Sequence, residues 1–438
     1  MAGRRVYITG IGVISPVGIG AETFLENIIR GVSGIGPLTR FDGCNYSSRV
    51  AGQVNDFDPV RYLHPKKVAW MYRATQFSVA ASKMAVEDAG LQLDRENPDR
   101  WAVITGTSNA DFEAFAHVAR TLHCEGVAGV DPAIGPPSIQ ISTAAAVTVE
   151  LRFHCEAMTL SAGCCSGLYS LGEALRQIRT GQIDAALVGG TEAPIIPSVH
   201  ALLSNAHALS TRNNEPARAS RPFDRDRDGY VIGEGAAYFV LEEESRAAAR
   251  GAELYAEVAG YGATTDAFSL VRMYEGHEYL ARAMAKALSD AGLRPDQVDY
   301  VSAHGSSGVT ADRKETRAIK TALGEQARRV QISSIKSMIG QAIGSACAMQ
   351  AAATALMLKN GVLHPTINLE ERDPECDLDY IALEARESVS RVALVNAMGM
   401  GGTNSSLVLL RAGKGAAARR PYVSKPARSG TFVEVPTT

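Results

Sequence analysis

The chain has no excess of either charge: 44 Lys and Arg against 47 Asp and Glu leave a net −3 over 438 residues. With no global basic surplus and no basic stripe interleaved with aromatics, nucleic acid is excluded as a partner of the whole molecule. There is no uncharged apolar run of 18 residues, so no segment is written to span a membrane and no membrane partner is expected. The N-terminus enters a strand-like Val6-Tyr-Ile-Thr9 almost at once, without a signal-like apolar region, so a cytoplasmic protein is the expectation. The seven cysteines (Cys44, Cys124, Cys155, Cys164, Cys165, Cys347, Cys376) form no C-x-x-C and lack histidines at zinc spacing. Reduced thiols and no metal site follow. Gly10 and Gly12 hint at a dinucleotide fingerprint, but Ser15 breaks the G-x-G-x-x-G spacing and Pro16 interrupts the helix that should follow.

What is present is an ordinary globular composition, 46% hydrophobic and 21% charged, long enough for two domain-sized units on a large shared core. Residues 158–181 organise the rest. A short apolar run (Met158, Leu160) leads through small residues to Cys164 and Cys165; Leu168, Leu171, Leu175 and Ile178 then recur at helical spacing until Gly181. This predicts strand, tight turn, helix. A cysteine on such a turn meets unpaired N–H groups and the positive end of a helix dipole, which predicts a stabilised thiolate. A buried structural cysteine is the competing reading.

Around this stretch the pattern predicts a strand opening at Arg5, helices over 21–31 and 74–89, a loop-rich segment over 32–73, and strands at 101–105 and 184–192. The mixed charges of Ser220-Arg-Pro-Phe-Asp-Arg-Asp-Arg-Asp-Gly predict an internally paired loop. From about Tyr255 the order restarts: Val258–Ala263 echoes the first strand, Tyr279–Ala291 forms a second amphipathic helix, and Val301-Ser-Ala-His304-Gly stands where Ile104-Thr-Gly stood. Ile332 to Leu358 repeats the cysteine strand and helix, and a last strand is expected at Val392–Asn396. Two α/β halves in one order predict a pseudo-twofold core in which Cys164 and Gln341 occupy equivalent turns. The boundaries are 1–254 for the half with the cysteine, 255–411 for the half with His304 and Lys336, and 412–438 for a flexible tail.

Over about residues 4–410 the motifs resemble one family. They are Gly163-Cys-Cys-Ser-Gly, Ala208-Leu-Ser-Thr-Arg-Asn, Ser220 to Gly235, Ala303-His-Gly-Ser-Ser, Asp312-x-x-Glu315, Ser333-Ser-Ile-Lys-Ser-Met-Ile-Gly and Gly399-Met-Gly-Gly-Thr-Asn. This set is similar to the β-ketoacyl-acyl carrier protein synthases, both elongating type II synthases and type II polyketide ketosynthases. The resemblance implies an α/β, thiolase-like, five-layered αβαβα fold built from two pseudo-equivalent halves. It implies a cytoplasmic homodimer, or a heterodimer with a second ketosynthase or chain-length-factor-like subunit. It implies an acyltransferase that takes an acyl chain from acyl carrier protein and condenses it with a decarboxylating malonyl unit. No cofactor of its own is implied, since the phosphopantetheine belongs to the carrier. Cys164 matches the nucleophile, His304 the first active-site histidine, Lys336 the motif lysine, and Glu315 its acidic partner, expected to pair with it. Gln341 stands where a second histidine is usual; its amide donates but exchanges no proton near neutral pH. Ser306, Asn109, Leu203, Met398 and Met400 are the candidates for substrate contact, the two methionines replacing an aromatic gate and Asn109 a residue facing the chain end. Gly308 removes one hydroxyl of the pantetheine contact. These departures favour an unusual, polar or unsaturated acyl group over a saturated fatty chain, or neutral drift. An acyltransferase without decarboxylation, and a non-catalytic partner that shapes another synthase's pocket, stay open as alternatives; retention of Cys164 speaks against the second.

Overall fold

The computed structural model describes residues 4–413, and the expected tail lies beyond them but for its first two residues. Among the described residues eleven strands form one continuous sheet; ten of them build two halves, and the short strand Gly18–Ile19 pairs beside the first. The first half comprises β1 (Val6–Ser15), β2 (Trp101–Gly106), β3 (Glu156–Leu160), β4 (Ala185–Glu192) and β5 (Gly235–Glu243). The second comprises β6 (Ala256–Thr265), β7 (Tyr300–Ser302), β8 (Gln331–Ser333), β9 (Val392–Met398) and β10 (Thr403–Arg411). Spatially the halves run β3-β2-β4-β5-β1 and β8-β7-β9-β10-β6, the same order, joined where Tyr7 and Ile8 of β1 pair with Glu257 and Ala256 of β6.

The duplication extends to detail. In each half the second, third and fourth strands pair in parallel and the last two antiparallel. The register slips once in each, between Ile8 and Gly10 and between Val258 and Gly260. Gly10 and Gly12 let helix α1 (Arg73–Asp88) settle on β1: a Cβ at Gly12 would lie 2.0 Å from the Ala81 carbonyl. Gly262 does the same for α4 (Glu278–Asp290), with 2.2 Å to the Ala283 carbonyl. The paired glycines thus serve helix packing.

Helices α3 (Ser166–Thr180) and α6 (Ile343–Asn360) lie between the two half-sheets and touch strands of both. Helix α6 is buried from Ile343 to Leu358, apolar on all sides and rich in alanine, as a helix enclosed by protein must be. Helix α1 and α2 (Ser142–Leu151) cover the first half outside; α4 and α5 (Val309–Leu323) cover the second. The result is five layers, as the resemblance implies.

Two expectations change. Val392–Met398 is not the last strand: β10 follows it and carries Asn404 to Leu409, all buried. The charged loop does pair internally, through Arg221 and Asp224 at 3.0 Å, but Arg227 also leaves it to reach Asp373 at 2.9 Å and Asp312 of α5 at 3.5 Å.

Candidate active site

Cys164 sits on the turn between β3 and α3. Gly163 takes φ +58°, a conformation that suits glycine, and the Ser166 hydroxyl donates to the Gly163 carbonyl at 2.6 Å while accepting the Ala162 N–H at 2.9 Å. The turn therefore presents Cys164 one residue ahead of Cys165, the cap of α3. Cys165 is fully buried, its sulfur 3.5 Å from the Thr403 carbonyl, and has a packing role.

The expected thiolate is corrected by the environment. Cys164 is only 8% exposed, and burial pushes its thiol up to about 11, against the opposing charge of Lys336 and the Met400 N–H. Desolvation is the largest of these influences and favours the protonated thiol over the thiolate.

His304 follows β7. Its own N–H and that of Gly305 donate to the two oxygens of Glu315, each at 2.8 Å. One turn earlier on α5, Asp312 accepts the Ser306 N–H at 3.0 Å and the Phe223 N–H at 2.8 Å. Residues three apart on a helix share a face, so α5 holds the His304–Ser306 backbone by two carboxylates. The Met398 N–H donates to His304 Nδ1 at 3.2 Å. That leaves Nε2 as the nitrogen bearing the proton, because burial with the positive charges of Lys336 and Lys314 drives the imidazole well below its ordinary pKa and keeps it neutral.

Lys336 is 1% exposed, but it does not pair directly with Glu315. Its ammonium donates to the His304 carbonyl and, at 2.7 Å, to Gln350 Oε1. Gln350 Nε2 bonds the Ala303 carbonyl at 2.7 Å and the Asn396 carbonyl at 3.2 Å, and Asn396 Nδ2 reaches Glu315 Oε1 at 3.3 Å. The expected pair is a relay because both Glu315 oxygens are taken by main-chain donors. Gln350 and Asn396 escaped the sequence reading, although a lone amide in an alanine-rich buried helix was a visible signal.

One short segment joins the nucleophile to the histidine. Met398 bonds His304, and a Cβ at Gly399 would stand 3.1 Å from Cys164 N. Met398 is 7% exposed, whereas Met400 turns its side chain outward at 64%. Gln341, buried, is fixed by its N–H to the Val231 carbonyl at 2.7 Å and by the Gly233 N–H to its own carbonyl at 3.0 Å. Its side-chain Oε1 is buried with no donor. Ser306 is buried and its hydroxyl accepts the Gly308 N–H at 3.4 Å. Asn109 is half-buried and bonds through its main chain only. Leu203 packs with Ile195, Ile196, Val199 and Ile232; Ile232 bridges Gln341.

Among the described residues, no group of three or more His, Cys, Asp or Glu is placed to hold a metal ion. No helix among them is long and apolar enough to cross a membrane.

Residues 3–247 match the family profile "Beta-ketoacyl synthase, N-terminal domain", and residues 255–370 match "Beta-ketoacyl synthase, C-terminal domain". The chain is 39% identical over 404 residues to 3-oxoacyl-[acyl-carrier-protein] synthase 2 of Synechocystis, covering 92% of this chain and 97% of that protein. Among solved structures it is similar to the ishigamide ketosynthase/chain length factor, with TM-score 0.89, 36% identity, and 94% and 100% of the two chains covered. It is also similar to a chain of a type II PKS acyl-carrier protein in complex with its ketosynthase bound to the hexaketide, with TM-score 0.86, 32% identity, and 94% and 100% covered.

Proposed function

The chain belongs to the β-ketoacyl synthase family, and on that premise we propose that it loads an acyl chain onto Cys164 and condenses it with a malonyl unit, both delivered by acyl carrier protein. It is an acyltransferase of the 3-oxoacyl-[acyl-carrier-protein] synthase type, serving fatty-acid or polyketide synthesis. The observation that carries the residue assignment is the segment Met398–Met400, which contacts His304 at one end and Cys164 at the other.

In the first half-reaction the Cys164 sulfur attacks the acyl thioester carbonyl. A new C–S bond forms, the carrier's C–S bond breaks, and the proton released from Cys164 leaves on the carrier thiol. In the second, the malonyl C–C bond breaks, CO₂ departs, and the electron pair moves toward the thioester oxygen. His304 Nε2–H and the Gln341 amide N–H are the donors for that oxygen. The enolate carbon then attacks the acyl carbonyl, the C–S bond to Cys164 breaks, and the sulfur regains a proton. Ser306 lies in the loop that meets the carrier's arm; Asn109, Leu203 and Met398 bound the acyl chain, with Met400 at the rim.

A second chain of the same fold completes the particle. Strand β3 is an unpaired sheet edge; Val149 on α2, which packs on that strand, is exposed, as are Phe112, Phe115, Leu122 and Ile139 earlier in the chain. An apolar face beside an open edge favours burial against a partner. Whether the mate is identical or chain-length-factor-like is read from the mass and composition of the purified complex.

The deciding experiment incubates the protein with acyl- and malonyl-carrier protein and follows acyl-Cys164, CO₂ and ketoacyl product. All three are expected. Acyl-Cys164 with transfer but no CO₂ supports the acyltransferase reading that Gln341 favours, and none of the three removes both.

A further inference from the structure

Glu192, at the end of β4, is 0% exposed and has no part in the chemistry derived above. Its carboxylate accepts four hydrogen bonds. Oε1 takes the Asn109 N–H at 2.9 Å and the Thr107 hydroxyl at 3.2 Å; Oε2 takes the Ser108 N–H at 2.8 Å and the Gly344 N–H at 3.0 Å. Among the described residues no cation pairs with it. The donors come from two separate places: the loop after β2, which carries Asn109, and the first turn of α6, three residues past Gln341.

Both places are strained. Ala110 at φ +48° and Ile343 at φ +39° are non-glycine residues in the left-handed region, and each is adjacent to a residue bonded to Glu192. Such conformations persist where the surroundings over-determine them. Helix α6 has no side-chain cap of its own, so Glu192 supplies an acceptor to an otherwise orphaned N–H. The fit is close: a Cβ at Gly344 would stand 2.6 Å from Glu192 Oε2 and 2.7 Å from the Ser108 nitrogen.

We propose that Glu192 is a positioning residue that locks the Asn109 loop to the turn carrying Gln341, so that the acyl-chain wall and the second oxyanion donor move as one body. The assignment rests on the roles given above to Asn109 and Gln341. Its consequence is that an acyl chain which displaces Asn109 also displaces Gln341, so an ill-fitting chain slows carbanion formation without blocking its own loading.

The test uses the full chain and Glu192→Gln, which keeps the size but turns one acceptor oxygen into a donor facing N–H groups. Hydrogen exchange is followed by mass spectrometry over residues 106–111 and 341–346. Exchange at Ser108, Asn109 and Gly344 is expected to rise together, at least tenfold. CO₂ release at saturating malonyl-carrier protein is expected to fall at least tenfold, while Cys164 acylation stays within about threefold and the malonyl-carrier KM is unchanged. A merely structural role would lower loading and CO₂ release in proportion. Exchange that rises at one segment only, or an unchanged ratio of CO₂ release to loading, overturns the proposal. Thr107→Val, which removes one hydroxyl from the cluster, serves if Glu192→Gln does not fold: exchange must then rise at Gly344 as well as at Asn109, and a rise confined to residues 106–111 overturns the coupling. Failure of the wild type to load Cys164 would instead remove the reading of the site, and the exchange data would still decide whether the two segments are locked.

Discussion

The ammonium of Lys336 donates to the main-chain oxygen of His304, while the main-chain nitrogen of His304 donates to Glu315. The histidine peptide is thus gripped at both ends by buried groups of opposite charge. Burial lowers the Lys336 pKa and raises that of Glu315, and each offsets part of the other's shift. Removing one member leaves the other without its compensating charge. Lys336→Met is therefore expected to let the His304 ring drift and to lower CO₂ release from malonyl-carrier protein by about 10². Gln350→Leu, which removes the amide between Lys336 and the Asn396 carbonyl, is expected to act in the same direction with a smaller loss. Paired measurements of CO₂ release and acyl-Cys164 check both.

The protonated state of Cys164 predicts a pH dependence of its own. The thiol is raised by burial to about 11, so the thiolate fraction of the free enzyme grows about tenfold per pH unit up to that value. Alkylation of Cys164 by iodoacetamide, followed on its own peptide, is expected to keep rising where a free thiol levels off near pH ~8.5. Because the positive charge of Lys336 favours the thiolate, Lys336→Met slows alkylation below about pH 8, where Lys336 carries that charge, and the two curves converge above it, burial having lowered the lysine to about 8. A plateau near neutrality would show that a thiolate is present at rest.

Much of this arrangement was legible before any coordinates. Leu168, Leu171, Leu175 and Ile178 mark α3 because a helix with one buried face repeats every three or four residues, and the restart near Tyr255 betrayed the second half. Cys164 and His304 stood out because each follows an apolar strand at a glycine turn. Charge partners were less legible. Lys336 and Glu315 read as an ion pair because opposite charges in neighbouring motifs invite it, whereas Glu315 is occupied by peptide N–H groups, which no side-chain pattern reveals. Glu192 was overlooked for the same reason. Strand β10 was overlooked because a polar stretch, Thr403 to Ser406, opens it; there Asn404 Nδ2 donates to Asp266 at 2.7 Å and the Ser406 hydroxyl to Asn396 Oδ1 at 2.9 Å, while the Ser405 hydroxyl is buried without a partner among the described residues.

The mirrored glycines give a test of the duplication by stability alone. Gly12→Ala and Gly262→Ala each push a methyl onto a helix carbonyl, at 2.0 and 2.2 Å, in places where the neighbour is backbone and cannot turn aside. Overpacking of this kind costs about 3 kcal/mol. Gly36→Ala, with nothing within 4 Å of the added Cβ, is expected to stay within about 0.5 kcal/mol of wild type. Denaturant unfolding of the three variants checks the order, and an unaffected Gly262→Ala would mean that α4 is not seated on β6 as α1 is on β1.

Gln341 sets stability against chemistry. Its Oε1 is buried with no donor, a state that costs about 1–3 kcal/mol, yet the same side chain supplies the N–H assigned to the developing oxyanion. Local rules are broken in this way where function demands it. Gln341→Leu removes the unpaired oxygen along with the donor, so the variant is expected to unfold at higher denaturant, by about 1 kcal/mol, and to release CO₂ about 10²–10³-fold more slowly. Loading of Cys164 should be spared, since the acyl carbonyl is attacked before any malonyl unit is bound. Gln341→His tests the opposite direction: a large gain in CO₂ release would show that the amide restrains decarboxylation, and no gain would show that a donor in this place suffices. If Gln341→Leu instead released CO₂ at the wild-type rate, Gln341 would face away from the reacting oxygen, and His304 Nε2 would carry the charge with another donor.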